Sequence, residues 1–301
     1  MLNIRLKKII KELICLPIYF LSFFRLMLSL ISKKLEYIFK DKLYEFNEKI
    51  YTEINHLAFN NKHYNIKIYS PNRICQYRAD TFSTKEKETL EWLEKYGSNK
   101  KTLLDIGANI GLYSIYHSLV NKGNVIACEP SFLNLKQLLK NINLNNCQNN
   151  IYVIPLALNE TSGFEKFNYS NIYEGGALSS FGVDYGYDGK PMDTKLSINI
   201  PGFSLDKLLE NELFFHLKPD LIKIDVDGIE DKILKGANTT LNNPNLKSIL
   251  IEVNKDFQNQ YKNVQEILEK NGFYKDKNFD FIENRNNYNF EKTFNQIWFK
   301  K

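Results

Sequence analysis

Leu104-Asp105-Ile106-Gly107-Ala108-Asn109-Ile110-Gly111 is the stretch on which the reading of this chain turns. Residues 102–106 (TLLDI) form a short apolar run, the pattern of a buried strand, and a helix is expected near 110–121. The glycines punctuate the junction. Gly107 permits a tight turn and close backbone approach to a ligand, and Gly111 lets the helix pack close to the sheet. Asp105 stands at this mouth, where a carboxylate repels phosphate but suits an ammonium group. The spacing is G-x-x-x-G, not the G-x-G-x-x-G of a dinucleotide site.

Outward from this point the chain alternates. Apolar runs at 124–128, 151–156, 221–225 and 248–253 read as further strands. Helices are expected near 131–145, 204–213, 229–241 and 261–271, with short strands at 280–282 and 296–299 as a closing antiparallel pair. Strands separated by helices predict α/β architecture: a doubly wound, mostly parallel Rossmann-like sheet. The second strand ends in Cys128-Glu129-Pro130, with Glu129 18 residues past Gly111. An acid there can accept two hydrogen bonds from ribose hydroxyls. Ser131 then caps a helix with Leu135, Leu138, Leu139 and Ile142 on one face. A nucleoside with a cationic, phosphate-free tail fits both acids, and S-adenosylmethionine has that shape.

Around these motifs, DIGANIGLYS (105–114), ACEPSFLNLKQLLKNINLN (127–145), PLALNETSG (155–163), SLDKLL (204–209), DLIKIDVDGIEDKILKGA (220–237) and LIEV (250–253) resemble the FkbM-type methyltransferases. The resemblance runs in order over residues 70–299, with Arg78-Ala79-Asp80-Thr81-Phe82 in its lead-in. It implies a class I, S-adenosylmethionine-dependent enzyme, mostly O-methylating, with a sugar-type acceptor in a surface glycan or glycolipid. By the same resemblance Asp105, Gly107, Ala108, Asn109, Gly111 and Glu129 line the cofactor pocket, and Ala157 covers the adenine. The family carries glutamate where Asp227 stands, the same charge with a longer reach.

Methyl transfer to a hydroxyl needs alignment and a base. Asp225, at the end of the fourth strand, is the leading candidate and Asp227 the second, with Lys223 close by for substrate. The competing reading makes Asp225, Asp227 and Glu230 caps of the following helix. No metal site is expected, because the four histidines are scattered and no CxxC pair occurs. The four cysteines read as free thiols. Residues 160–200 break the strand–helix rhythm, and their glycines and tyrosines make them a candidate acceptor lid, with Tyr173, Tyr185 and Tyr187 to stack on sugar rings.

The chain has 301 residues, 25% charged and 43% hydrophobic, which excludes disordered and polytopic membrane classes. Its net charge is +5, and residues 1–34 alone carry +6, so the remainder is −1. That distribution argues against nucleic-acid binding. The basic arm surrounds residues 13–32 (LICLPIYFLSFFRLMLSLIS), long enough to span a bilayer. Arg25 would cost about 2.5–3.5 kcal/mol at its centre and Pro17 interrupts a helix, so a helix lying on the membrane is expected. A helix packed on protein and a true span are the alternatives. The globular part lacks secretory hallmarks, which places it on the cytoplasmic side, at the inner membrane face.

Three segments follow: an arm at 1–45, a lead-in at 46–98 and a methyltransferase domain at 99–301. In the lead-in, 64–69 is expected as a strand and 84–96 as a helix capped by Thr84. Two other functions compete, a nicotinamide-dependent oxidoreductase and a non-catalytic membrane-docked binding module. Asp105 and the missing G-x-G-x-x-G oppose the first. The intact Asp105, Asn109 and Glu129 oppose the second. Oligomeric state is not readable.

Overall fold

A computed structural model describes residues 4–214, 216–275 and 292–301. The chain divides into two units, Met1–Ile50 and Tyr51–Lys301. In the first, α1 (Ile4–Ile31) runs as one helix through Pro17, and α2 (Lys33–Asn47) follows Ser32. An 18-residue stretch within Lys7–Ile31 has a mean hydropathy of 2.0, and this helix is long and apolar enough to cross a membrane. Within this unit Phe24 packs edge-on against Phe39, their centroids 5.5 Å apart.

The second unit opens with a hairpin, β1 (Tyr51–Leu57) and β2 (His63–Tyr69), then α3 (Arg73–Lys85) and α4 (Lys87–Tyr96). Asn72 caps α3, its side chain accepting from the amides of Ile74 and Cys75. The expected cap at Thr84 is corrected. Thr84 lies in the last turn of α3 and donates to the carbonyl of Thr81, and Glu86 separates the two helices. The β/α body then runs β3 (Leu103–Ile106), α5 (Leu112–Asn121), β4 (Val125–Cys128), α6 (Phe132–Leu144) and β5 (Ile151–Ile154). After an excursion come α7 (Leu205–Leu209), β10 (Leu221–Ile224), α8 (Glu230–Lys235), α9 (Asn238–Leu241) and β11 (Ser248–Asn254). The chain continues through α10 (Gln258–Lys270) and β12 (Phe273–Lys275) to β13 (Thr293–Lys300).

Among the described residues seven strands form the main sheet, in the order β12-β13-β11-β10-β3-β4-β5. The central strands are parallel, and β13 pairs antiparallel with both β11 and β12. The closing strand is therefore where it was expected, but its described partner is β12. The expected strand at 280–282 lies outside the described residues. The chain winds outward from β3 to β5, then crosses back to β10, so the order reverses between β3 and β10. Ligands of such sheets sit at the carboxyl ends of the strands at this reversal.

Both faces of the sheet are covered. Leu104, Ile106, Ile126, Ile222, Ile224 and Ile251 point into one core, with Ile233 and Leu234 of α8 and Val264 and Leu268 of α10. Leu103, Val125, Ala127, Leu221 and Leu250 point into the other, with Leu135, Leu138 and Ile142 of α6 and the lead-in side chains Phe82, Trp92 and Leu93. Alternate residues enter different cores, so the strands show no polar alternation. Leu139, expected on the apolar stripe of α6, is exposed instead.

The excursion is a second sheet. Strands β6 (Ala157–Leu158), β7 (Gly163–Tyr169), β8 (Ser180–Phe181) and β9 (Leu196–Phe203) assemble in the order β6-β9-β7-β8. Phe167, Phe181 and Ile200 bury its inner face against the first core. The segment is thus anchored in the fold, and its mobile-looking glycines fall in its turns and strand ends.

The lead-in edge strand β2 is closed by amide side chains rather than by another strand. Asn145 of α6 accepts from the amide of Lys67 (2.9 Å) and donates to its carbonyl (2.6 Å). Asn141 accepts from the amide of Tyr69 (2.8 Å) and donates to the carbonyl of Ile110 (2.8 Å), and Gln137 donates to the carbonyl of Tyr69 (2.9 Å). Positions 137, 141 and 145 share one helix face by their spacing of four. Asn141→Leu strands two buried backbone groups and should cost about 2–5 kcal/mol, measured by denaturant unfolding. A loss below about 1 kcal/mol would show that these bonds do not hold the hairpin.

Candidate active site

The cleft lies at the topological reversal. After β3 the chain turns at Gly107, where φ is +81°, and the amides of Gly107 and Ala108 both donate to the carbonyl of Cys128 at 3.0 Å. A Cβ on Gly107 would lie 2.0 Å from the carbonyl oxygen of Asp225. That glycine is required because the turn after β10 passes directly across the turn after β3. Gly111, at φ +87°, serves packing between helices: a Cβ there would meet Leu138 of α6 at 2.3 Å.

About 590 Å³ of open space lies beyond these turns, bounded by Gly107, Asn109, Glu129, Ala157, Asp225 and Asp227. These six were all expected at the site. Apolar walls come from Leu156, Leu158, Phe167, Phe181 and Ile229. The three carboxylates contrast with a lack of Lys, Arg or His among the described residues lining the space. Apolar walls with a few polar groups suit a small organic ligand, and the charge suits a cationic one.

Each acid is held differently. Glu129 accepts from the amides of Asn109 (2.7 Å) and Ser131 (2.9 Å), and burial pushes its carboxyl up to about 7 despite those donors. Asp227 has a left-handed backbone, φ 62°, and accepts from the amide of Leu178 at 2.6 Å. Burial and the neighbouring Asp225 raise it to about 6. Glu230 points inward, accepts from the amides of Val226 and Gly228 (3.2 Å each), and bonds Gln260. It therefore braces the turn before α8, whose N-cap is Ile229 with no side-chain cap bond. Asp225 takes a 2.9 Å bond from Lys223.

Several expected site residues lie elsewhere. Asp105 does not line the cleft. It is 1% exposed on the second-core face, where Ser114 donates to it at 2.6 Å. Lys223, expected to meet substrate, is also 1% exposed and points toward Asp105 and Asp225. Both follow from strand parity: positions 105 and 223 alternate away from the residues that face the first core. Ala108 is buried in the turn beside Gly107. Tyr173 is exposed on the loop before β8, and Tyr185 packs edge-on to Phe257, centroids 5.4 Å apart. The backbone of Gly186 and Tyr187 lies against Gly228, whose Cβ would meet the Gly186 carbonyl at 2.7 Å. His117 is buried and bonded to the carbonyl of Lys101, and burial lowers it to about 4. All four cysteines are free, and no cluster suited to a metal ion occurs among the described residues.

Sequence reasoning missed the strap at 174–178. Asn109 and Asn134 donate to the carbonyl of Gly176 (2.8 and 3.1 Å), Asn134 accepts from the amide of Gly175 (2.9 Å), and Arg78 donates to its carbonyl (2.7 Å). Gly176, Ala177 and Ser179 line the cleft as a result. The available signal was Gly175-Gly176 itself, together with Asn134 three residues past the cap Ser131.

A glycine turn at the reversal of a doubly wound sheet, with an acid ending the next strand, defines a nucleoside-binding protein of the Rossmann-like class. The family model "Methyltransferase FkbM domain" matches residues 105–275. The chain belongs to the FkbM methyltransferase domain family. A curated relative, "Hexuronic acid methyltransferase AglP" of Haloferax volcanii, is 26% identical over 168 residues. That alignment covers 56% of this chain and spans 62% of the relative's length. Among solved structures, the precorrin-6y C5,15-methyltransferase of Geobacter metallireducens matches with TM-score 0.42 and 14% identity, over 72% of this chain and 89% of that one. TrmK of M. capricolum, in complex with S-adenosyl-homocysteine, matches with TM-score 0.39 and 15% identity, over 69% and 66%.

S-adenosylmethionine is the cofactor of this family, and the residues present fit it. Glu129 offers carboxylate oxygens that could accept from hydroxyls, the apolar walls could take a flat base, and the carboxylates of Asp225 and Asp227 could face a positive centre. Gly107→Ala should disrupt this region. It should lose about 3 kcal/mol or more of stability and weaken S-adenosylhomocysteine binding at least about tenfold, by thermal unfolding and calorimetry. Gly163→Ala is the control, because a Cβ there meets nothing within 4 Å.

Proposed function

We propose that this methyltransferase transfers a methyl group to a sugar hydroxyl of a glycan, glycolipid or related metabolite. The observation that carries the reading is the cleft walled by three carboxylates without a basic side chain among its described lining, Asp225 among them at the carboxyl end of the central strand β10. Such a wall disfavours a pyrophosphate and favours a sulfonium. S-adenosylmethionine bound there supplies an electrophilic methyl group.

The protein's part is alignment and proton removal. Glu129 and Asn109 orient the nucleoside end. Asp225, ionised by its ammonium neighbour, accepts the acceptor's hydroxyl proton, with Asp227 as the second candidate. Tyr173, Tyr185 and Tyr187 are proposed to meet the sugar from the loops around the second sheet. The relative named for hexuronic acid supports a sugar acceptor.

α1 is proposed to hold the domain at the inner face of the membrane. Ile14, Phe20, Phe23 and Leu30 are exposed along it, and basic residues flank the apolar stretch. Each Lys or Arg near an anionic surface contributes about 1 kcal/mol.

Two measurements test these readings. Glycans extracted from cells with the protein should carry one sugar heavier by a methylene than glycans from cells without it. Asp225→Asn should abolish this gain while still binding S-adenosylhomocysteine, a rate loss of about 10²-fold or more. Full methylation by Asp225→Asn would remove Asp225 from the chemistry. For the arm, the full chain should sediment with membranes and a chain lacking residues 1–34 should not. Persistence of the shortened chain in the pellet would refute the membrane role of α1.

A further inference from the structure

Two carboxylates from different strands meet around one buried ammonium behind the cleft. Lys223 of β10 stands opposite Asp105 of β3 in the parallel register. The two side chains therefore lie next to each other on one face of the sheet, and Asp225, two residues on, returns to that face. The Lys223 Nζ donates to Asp225 Oδ2 at 2.9 Å and lies 4.0 Å from Asp105 Oδ1. It also sits 5.2 Å from the ring centroid of Tyr113. Asp105 Oδ1 is buried without a hydrogen-bond partner among the described residues, while its other oxygen takes the Ser114 hydroxyl.

Exposure sorts the roles. The side chains of Lys223 and Asp105 are 2% and 1% exposed, whereas that of Asp225 is 27% exposed and borders the cleft. The ammonium acts on a ligand through Asp225, not directly. We propose that Lys223 is a positioning residue: its buried ammonium ties the carboxylate of Asp225 to that of Asp105 and holds Asp225 ionised and oriented at the cleft. The catalytic consequence rests on the reading of Asp225 as the base.

The surroundings make this ammonium decisive. Arg78 and Lys85 of α3 also face Asp225, but Arg78 is bonded to the carbonyl of Gly175 and Lys85 to Glu86 at 3.2 Å. Against them stand Glu86 and Tyr113 on the helix side, Glu252 of β11, and Asp227 in the turn. Burial pushes Asp225 up, and the charge and hydrogen bond of Lys223, with smaller contributions from Lys85 and Arg78, more than offset it, leaving Asp225 below the usual aspartate range. Burial leaves Asp105 above that range. The sign follows. A depressed Asp225 adds stability above its unfolded value and loses it as pH falls through its folded value. Without Lys223 the same burial and neighbouring acids would move Asp225 upward.

The test is a carboxyl ¹³C NMR titration of aspartate-labelled full-length protein saturated with S-adenosylhomocysteine, Asp225 being assigned with Asp225→Asn. Asp225 should titrate below the ordinary aspartate value in the native protein. In Lys223→Met it should rise by at least about one pH unit, a tenfold change in proton affinity, and in Lys223→Arg it should return most of the way. If Lys223→Met does not fold, Lys223→Met combined with Asp105→Asn removes one stranded charge and is read identically. An Asp225 titration unchanged by removal of the ammonium overturns the proposal. The acid limb of glycan methylation separates the two readings. It should move upward with the NMR value, with kcat falling and the KM for S-adenosylmethionine held. An NMR shift with an unmoved limb keeps the positioning role and removes Asp225 as the base.

Discussion

The close pass of the Asp225 carbonyl over Gly107 is the constraint on which the site depends. It brings the turns after β3 and β10 into backbone contact at the reversal of the sheet, where no side chain can intervene. The amide of Asp225 donates to the carbonyl of Ile106 at 3.1 Å, so the two turns continue the pairing of their strands. From that junction one turn leads to Asn109 and Glu129, the other to Asp227 and Glu230. The two sides of the cleft are thereby fixed relative to each other through backbone contact.

Polar groups close the fold where strands do not. Gln137, Asn141 and Asn145 complete the edge of the lead-in hairpin, and Asn134 with Asn109 fastens the strap over the cleft. Helix α6 therefore has two tasks. Its apolar stripe fills the second core, and its amide face binds backbone on either side of it. A buried amide is costly without partners, and here each satisfies a backbone group that has no strand beside it.

Much of the architecture was legible. The apolar runs at 102–106, 221–225 and 248–253 carried the central strands, because burial on both faces leaves an unbroken apolar signature. Gly107, Asn109, Glu129, Ala157, Asp225 and Asp227 were singled out from turn chemistry and family motifs, and all six line one cleft. Helix α3 was not legible, since the turn residues Ser70-Pro71-Asn72 followed alternating runs that read as strands and Thr84 resembled a cap. Helix α9 was merged with α8 because Gly236 reads as a helix interior. In the structure that glycine lets the carbonyl of Asn159 approach within 2.5 Å of where a Cβ would stand. Residues 160–200 looked like a loop because β8 has only two residues and the turns are rich in glycine.

By itself the sequence determined the doubly wound class, the order of its strands and helices, and which strand ends carry acids. Those are local properties: periodicity, turn residues and spacing. Only the tertiary structure decided which acids face the cleft. Asp105, Lys223 and Asp225 share one face of the sheet, yet burial within the strands hides the first two, and the third, just past the end of β10, stands at the opening. A side chain's place relative to a sheet edge is set by the register between strands more than a hundred residues apart in sequence, and no local pattern records it.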